Sequence, residues 1–104
     1  MVEMHVIITR LSIKPDADWG ELAHKVEAFD KIAAAASSGF KGVSLIRNSP
    51  EEAVLFVQFD GRDELDRVSR EVAGPWFAEN VWSFLAGPVT RNVGEVLAGR
   101  LTGG

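Results

Sequence analysis

The sequence predicts an α+β domain built on a four-stranded antiparallel sheet that carries its helices on one face. Three observations predict it. Four stretches, residues 3–13, 42–48, 53–60 and 89–97, are rich in β-branched and aromatic side chains and have strand length. Residues 18–36 repeat apolar side chains at steps of three and four, the period of a half-buried helix. The elements then follow in the order β-α-β-β-α-α-β, which right-handed crossovers close into a split βαβ unit.

Each element has a local reason. In residues 3–13, Met4, Val6 and Ile8 share one parity and Ile7, Leu11 and Ile13 the other, so this strand is covered on both faces. Lys14, Pro15 and Asp16 end it. Asp18 is a helix N-cap with Glu21 three residues on as its capping-box partner. Trp19, Leu22, Val26, Phe29, Ala33 and Ala36 form the buried stripe, and Glu21, His24, Lys25 and Lys31 the wet side. Ser37, Ser38 and Gly39 close the helix, with Gly39 expected in the left-handed C′ conformation.

The next two strands are joined by Asn48, Ser49, Pro50, Glu51 and Glu52, which have hairpin-loop chemistry. Asp60 and Gly61 open a second helix with the stripe Leu65, Val68 and Val72. Gly74-Pro75 is expected to interrupt it, with Pro75 starting a new short helix that holds Trp76, Phe77, Val81, Phe84 and Leu85. Gly87-Pro88 stops that helix and residues 89–97 make the last strand, before a frayed tail at residues 100–104. The result is the ferredoxin-like fold.

A chain of 104 residues fits one domain with a small core. The formal charge of −4 and the scattered Lys and Arg disfavour nucleic-acid binding. The absence of cysteine excludes disulfides and thiol chemistry. No segment approaches a membrane span and the N-terminus lacks the pattern of a signal peptide, so the expected place is the cytoplasm. In such a fold the helix-free sheet face would leave a large apolar patch in water, and a second copy facing it removes the problem. A homodimer is therefore expected.

Four segments carry a resemblance to a known family: Ile13-Lys14-Pro15-Asp16 after the first strand, residues 38–43 entering the second, residues 57–65, and residues 85–89 entering the last. Together they resemble the dimeric α/β-barrel superfamily, and within it the antibiotic-biosynthesis-monooxygenase-like proteins, over nearly the whole chain. The resemblance implies a pocket between sheet and helices. It also implies one of several activities: cofactor-independent oxygenation of phenols or quinols, haem degradation, polyketide cyclisation or isomerisation. The family's third strand typically ends in Trp, an acidic residue and Ser, where this chain has Phe59-Asp60-Gly61. The Asn, Trp and His of the haem-degrading branch fall on Thr9, Phe59 and the vicinity of Trp76 and Phe77, so that activity is not implied here.

Of the two histidines, His24 belongs to the polar face of the long helix, while His5 lies in the first strand, as a satisfied strand residue or as a base. Neither their spacing nor the acidic pairs match a metal site. Arg91 either pairs with Glu95 or orients an anionic ligand, and Asn92, of opposite parity, hydrogen-bonds a ligand or a partner backbone. Arg10 and Arg47 are expected to pair with acids such as Glu3 or Asp60. The candidate catalytic set is thus His5, Arg91 and Asn92, and the candidate substrate contacts are Thr9, Phe59, Trp76 and Phe77. The first functional expectation is a monooxygenase needing no cofactor and taking an aromatic, phenolic or quinol-like substrate. The alternatives are a non-catalytic ligand-binding or stress-associated dimer, and a cyclase or isomerase with His5 as base.

Overall fold

In the computed structural model, which describes residues 4–99, strand β1 (Met4–Ser12) leads into helix α1 (Trp19–Ala36), and the hairpin β2 (Phe40–Ser49) and β3 (Glu52–Phe59) follows. Helix α2 (Arg62–Val68) runs through a π-helical turn (Ser69–Ala73) into α3 (Gly74–Asn80), a short 3₁₀ turn (Trp82–Phe84) and strand β4 (Thr90–Val96). The sheet has the order β2-β3-β1-β4 with all pairs antiparallel, and its helices cover one face. This is the ferredoxin-like α+β arrangement the sequence predicts. Among the described residues no helix is long and apolar enough to cross a membrane.

Register and strand alternation decide what each face carries. Rows across the helix side read Leu45, Leu55, Thr9, Arg91, then Val43, Val57, Ile7, Val93, then Phe40, Phe59, His5, Glu95. Against them pack the buried stripe Leu22, Val26, Phe29 and Ala33 of α1, together with Leu65, Val68, Val81 and Phe84. Rows on the helix-free side read Ile46, Val54, Arg10, Thr90, then Ser44, Phe56, Ile8, Asn92, then Gly42, Gln58, Val6, Gly94. Both parities of β1 and β3 are therefore apolar for different reasons: one is the core, the other the uncovered face.

Two local expectations are corrected. Gly39 is not left-handed; the only positive-φ residues among those described are Gly42 and Gly99. Glycine is favoured at 39 by crowding, since a β-carbon there would sit 2.7 Å from Asp60 Oδ1 and 3.3 Å from the Glu64 side chain, which would have to shift. Nor does Gly74-Pro75 break the second helix. Ala73 and Gly74 keep right-handed helical backbone, and the Gly74 amide donates to the Ser69 carbonyl five residues back, so a widened turn carries the chain into α3. Pro75 then sits in the first turn of α3 as expected. The α1 N-cap forms as read, with Asp18 Oδ1 accepting from the Glu21 amide at 3.0 Å. The expected start of the first strand at Glu3 and the tail at residues 100–104 lie outside the described residues.

Candidate functional site

Between the sheet and the helical segment that contains the widened turn lies a cavity of about 210 Å³. Its floor is the helix side of the sheet, with Ile7 and Thr9 of β1 and Leu55 and Val57 of β3. Its walls are Phe29 of α1, Ser69, Ala73 and Gly74 of the turn, and Trp76 and Phe77 of α3. Trp82, Val89 and Arg91 complete the lining; all three are exposed, so they rim its mouth. The Trp76 ring lies 4.6 Å from the Phe29 ring, and Phe29 in turn meets Phe40 edge-on at 6.3 Å, so the aromatic wall is braced against the core.

Among the described residues that line the cavity, Arg91 is the one charged group. Its neighbour across the β1–β4 ladder is Thr9, a buried hydroxyl on the same face. Arg91 Nη2 donates to Ser69 Oγ. The alternative pairing with Glu95 does not form, for a geometric reason: four residues along a strand is about 13 Å. Among the described residues, none that lines the cavity is a carboxylate or an imidazole.

Of the sequence-selected residues, Thr9, Trp76, Phe77 and Arg91 meet at this cavity. Phe59 does not. It is fully buried one row further along the sheet, with its ring 5.7 Å from Phe40, and acts as core. His5 lies in that same row, in register with Phe59 and Glu95, buried but outside the cavity lining. Asn92 projects from the helix-free face beside Ile8, because strand alternation turns it away from its neighbour Arg91. His24 is exposed on α1. Arg47 stacks over the Trp19 ring at 4.4 Å, and Asp60, one of the acids considered for Arg10 and Arg47, pairs with Lys41 at 3.5 Å instead. Trp82, which the sequence leaves facing a pocket, a dimer seam or solvent, lines the cavity. Ser69, Phe29 and Val89 were not singled out as site residues from the sequence, and nothing local marks Ser69.

A second polar cluster ties the helices together at the far end of α1. Glu64 accepts from Ser37 Oγ at 2.7 Å and from Arg67 at 2.8 and 3.0 Å, and Arg67 also donates to the Ala36 carbonyl at 2.8 Å. The hydrogen bonds from Arg67 and Ser37 hold the Glu64 carboxyl down to about 2. In return the Arg67 guanidinium is pushed above its ordinary value by Glu64. This cluster is away from the cavity and satisfies the open carbonyl end of α1.

Comparison with known structures places this geometry. No protein-family model and no curated protein matches the sequence. Solved structures do. A proposed antibiotic biosynthesis monooxygenase from Nitrosomonas europaea superposes with a TM-score of 0.73 at 16% identity, covering 93% of each chain. The chain has the antibiotic-biosynthesis-monooxygenase-like fold. Rv0793 from Mycobacterium tuberculosis matches with a TM-score of 0.66 at 24% identity over 97% of this chain and 99% of its own. SnoaB, a cofactor-independent oxygenase from Streptomyces nogalater, matches over 100% of both chains with a TM-score of 0.61 at 15% identity. At these identities the likeness is one of fold, and it bears out the resemblance read from the strand junctions at that level.

Proposed function

We propose that the protein is a small oxygenase that works without a cofactor on a one- or two-ring phenol or quinol bound in the cavity between sheet and helices, as a homodimer. The observation that carries this reading is the cavity itself: an apolar slot walled by Trp76, Phe77 and Phe29 with a single cation, Arg91, at its mouth. The fold shared with a cofactor-independent oxygenase supports it. The volume sets the scale of the substrate. About 150 Å³ accommodates benzene and drug-sized ligands need 300 Å³ or more, so 210 Å³ suits one substituted ring or two fused ones.

The chemistry balances without an added reductant. A hydroquinone and O₂ give a hydroxyquinone and water: one oxygen atom enters the ring, the other leaves as water, and the substrate supplies all four electrons. The protein's part is to hold the ring against the aromatic wall, to exclude water, and to place positive charge where the substrate oxygen becomes negative. His5 as a cyclase base finds no support, since it stands outside the lining.

The test is oxygen uptake by the pure protein with a panel of hydroquinones, naphthols and anthrones under air, without added cofactor. Uptake above the blank is expected for the smaller members, with a loss of tenfold or more in Trp76→Ala. No uptake across the panel, with tight release-unchanged binding of the same compounds, would instead make the cavity a ligand-carrying site.

A further inference from the structure

The lining of the cavity poses a problem for any ligand that must lose a proton there. Its described residues include no carboxylate and no imidazole, so no side chain is present to take the proton. What the cavity offers instead is donors. Arg91 carries five N–H groups, one of which goes to Ser69 Oγ. The Ser69 hydroxyl, once it accepts from Arg91, still has its own proton to give. Thr9 adds a hydroxyl beside Arg91 on the neighbouring strand.

Arg91 is also exposed, on an edge strand, with a long side chain that water would otherwise draw outward. The contact that holds it over the cavity comes from Ser69, 22 residues away in sequence, at the start of the widened turn. The hydrogen bond, the widened turn and the cavity edge coincide at one residue.

We propose that Ser69 is a positioning residue that aims the Arg91 guanidinium across the cavity mouth, and that the pair selects ligands bearing an ionised oxygen on an aromatic ring. This rests on the cavity being the binding site. The step is an O–H ionisation: the ring-oxygen–hydrogen bond breaks, its electron pair stays on the oxygen, and the proton leaves to bulk water through the mouth. Binding therefore lowers the ligand's pKa, because Arg91 favours the anion and, among the described residues, no lining group competes for the proton. Substrates follow from this: phenols and enols acidic enough to ionise at the mouth of the site, with a neutral ether of the same shape excluded from reaction though not from binding.

The experiment titrates 4-nitrophenol against pH by absorbance, free and with saturating protein, alongside 4-nitroanisole as a neutral companion of similar shape. For the wild-type protein the pKa of the bound phenol is expected to fall by about one unit, equivalent to about tenfold tighter binding of the anion. Ser69→Ala is expected to lose about half of that shift or more, Ser69→Thr to retain it, and Arg91→Met to abolish it, while 4-nitroanisole affinity stays within about twofold throughout. An unmoved pKa in the wild-type protein overturns the proposal, as does a Ser69→Ala variant that behaves like wild type. Nitroanisole affinity falling in step with the shift also overturns it, since that marks a merely structural role for Ser69. Binding of 4-nitroanisole with no preference for the phenolate removes this inference and leaves the cavity reading standing. If neither compound binds, both fall.

Discussion

A β-carbon on Gly39 would lie 2.7 Å from Asp60 Oδ1 and 3.3 Å from Glu64 Cβ and Cγ, while one on Gly61 would meet nothing within 4 Å. Gly39→Ala must therefore push Asp60 off its partner Lys41 and press on the Glu64 cluster. A loss of about 1 kcal/mol or more is expected on urea unfolding, the ordinary cost of overpacking, against a change within about 0.5 kcal/mol for Gly61→Ala. Glu64 itself gives an acid signature. Its folded pKa, about 2 against the ordinary 4.5, is depressed, so its contribution is complete above 4.5 and is lost as pH falls through the window down to about 2. Thermal unfolding of Glu64→Gln should accordingly be flatter between pH 5 and 2 than that of the wild type, with the two curves converging at the acid end. Parallel curves across that range would mean that the Ser37 and Arg67 hydrogen bonds do not hold the carboxylate in solution.

At the scale of elements, the π-helical turn is where local rules predict a break and the chain instead bends and continues. A residue before proline is pushed out of the α region by the proline ring, chiefly through its own β-carbon and amide. Glycine at 74 has no β-carbon, stays helical, and brings its amide to the Ser69 carbonyl; a β-carbon there would stand 3.1 Å from that oxygen. Gly-to-Ala within a helix ordinarily gains about 1 kcal/mol. Gly74→Ala is expected to lose about that much instead, by urea unfolding, and to weaken the Ser69–Arg91 contact read by the nitrophenol shift. The same comparison shows what was legible beforehand. Helix α1 could be read whole, because Asp18, Glu21 and the stripe from Trp19 to Ala36 are all local signals. The turn could not, since Ser69, Arg70, Glu71, Val72 and Ala73 are ordinary helix residues and only Gly74-Pro75 hints at it. Arg91 stood out as a lone cation in an apolar strand, but Asn92, grouped with it as a candidate catalytic residue, has the opposite parity and lies on the other face. Phe59 was misplaced for a different reason. Parity gave its face correctly, but the boundary between core and cavity on that face depends on how far the helix bows away, which no strand pattern contains. Ser69 depends on the same bow together with a contact across 22 residues.

For the whole molecule the unresolved balance is the helix-free face of the sheet. Its centre is Phe56 beside Ile8, with Val54 and Ile46 in the adjoining row; Ile46 is 46% exposed and the other three are partly buried. Val6 and Gln58 in the next row are already buried, and Gln58 Oε1 has no hydrogen-bond partner among the described residues. A two-fold partner laid sheet to sheet would cover the patch with its own Phe56 and Ile8, and could set the exposed Arg10 near an acid such as Glu52 on the facing copy. Sedimentation at micromolar concentration should therefore give a species of twice the 11.3 kDa chain mass. Phe56→Glu separates association from folding. In a lone protomer a glutamate at 56 can turn its carboxylate toward water from a partly buried position, whereas in the dimer it would place two carboxylates in an apolar seam. The variant should run as a folded monomer by sedimentation and circular dichroism. If wild type is already monomeric, or Phe56→Glu still dimerises, the face is not the interface. The cavity would then have to function without a second copy, and oxygen uptake by the Phe56→Glu monomer would measure whether it does.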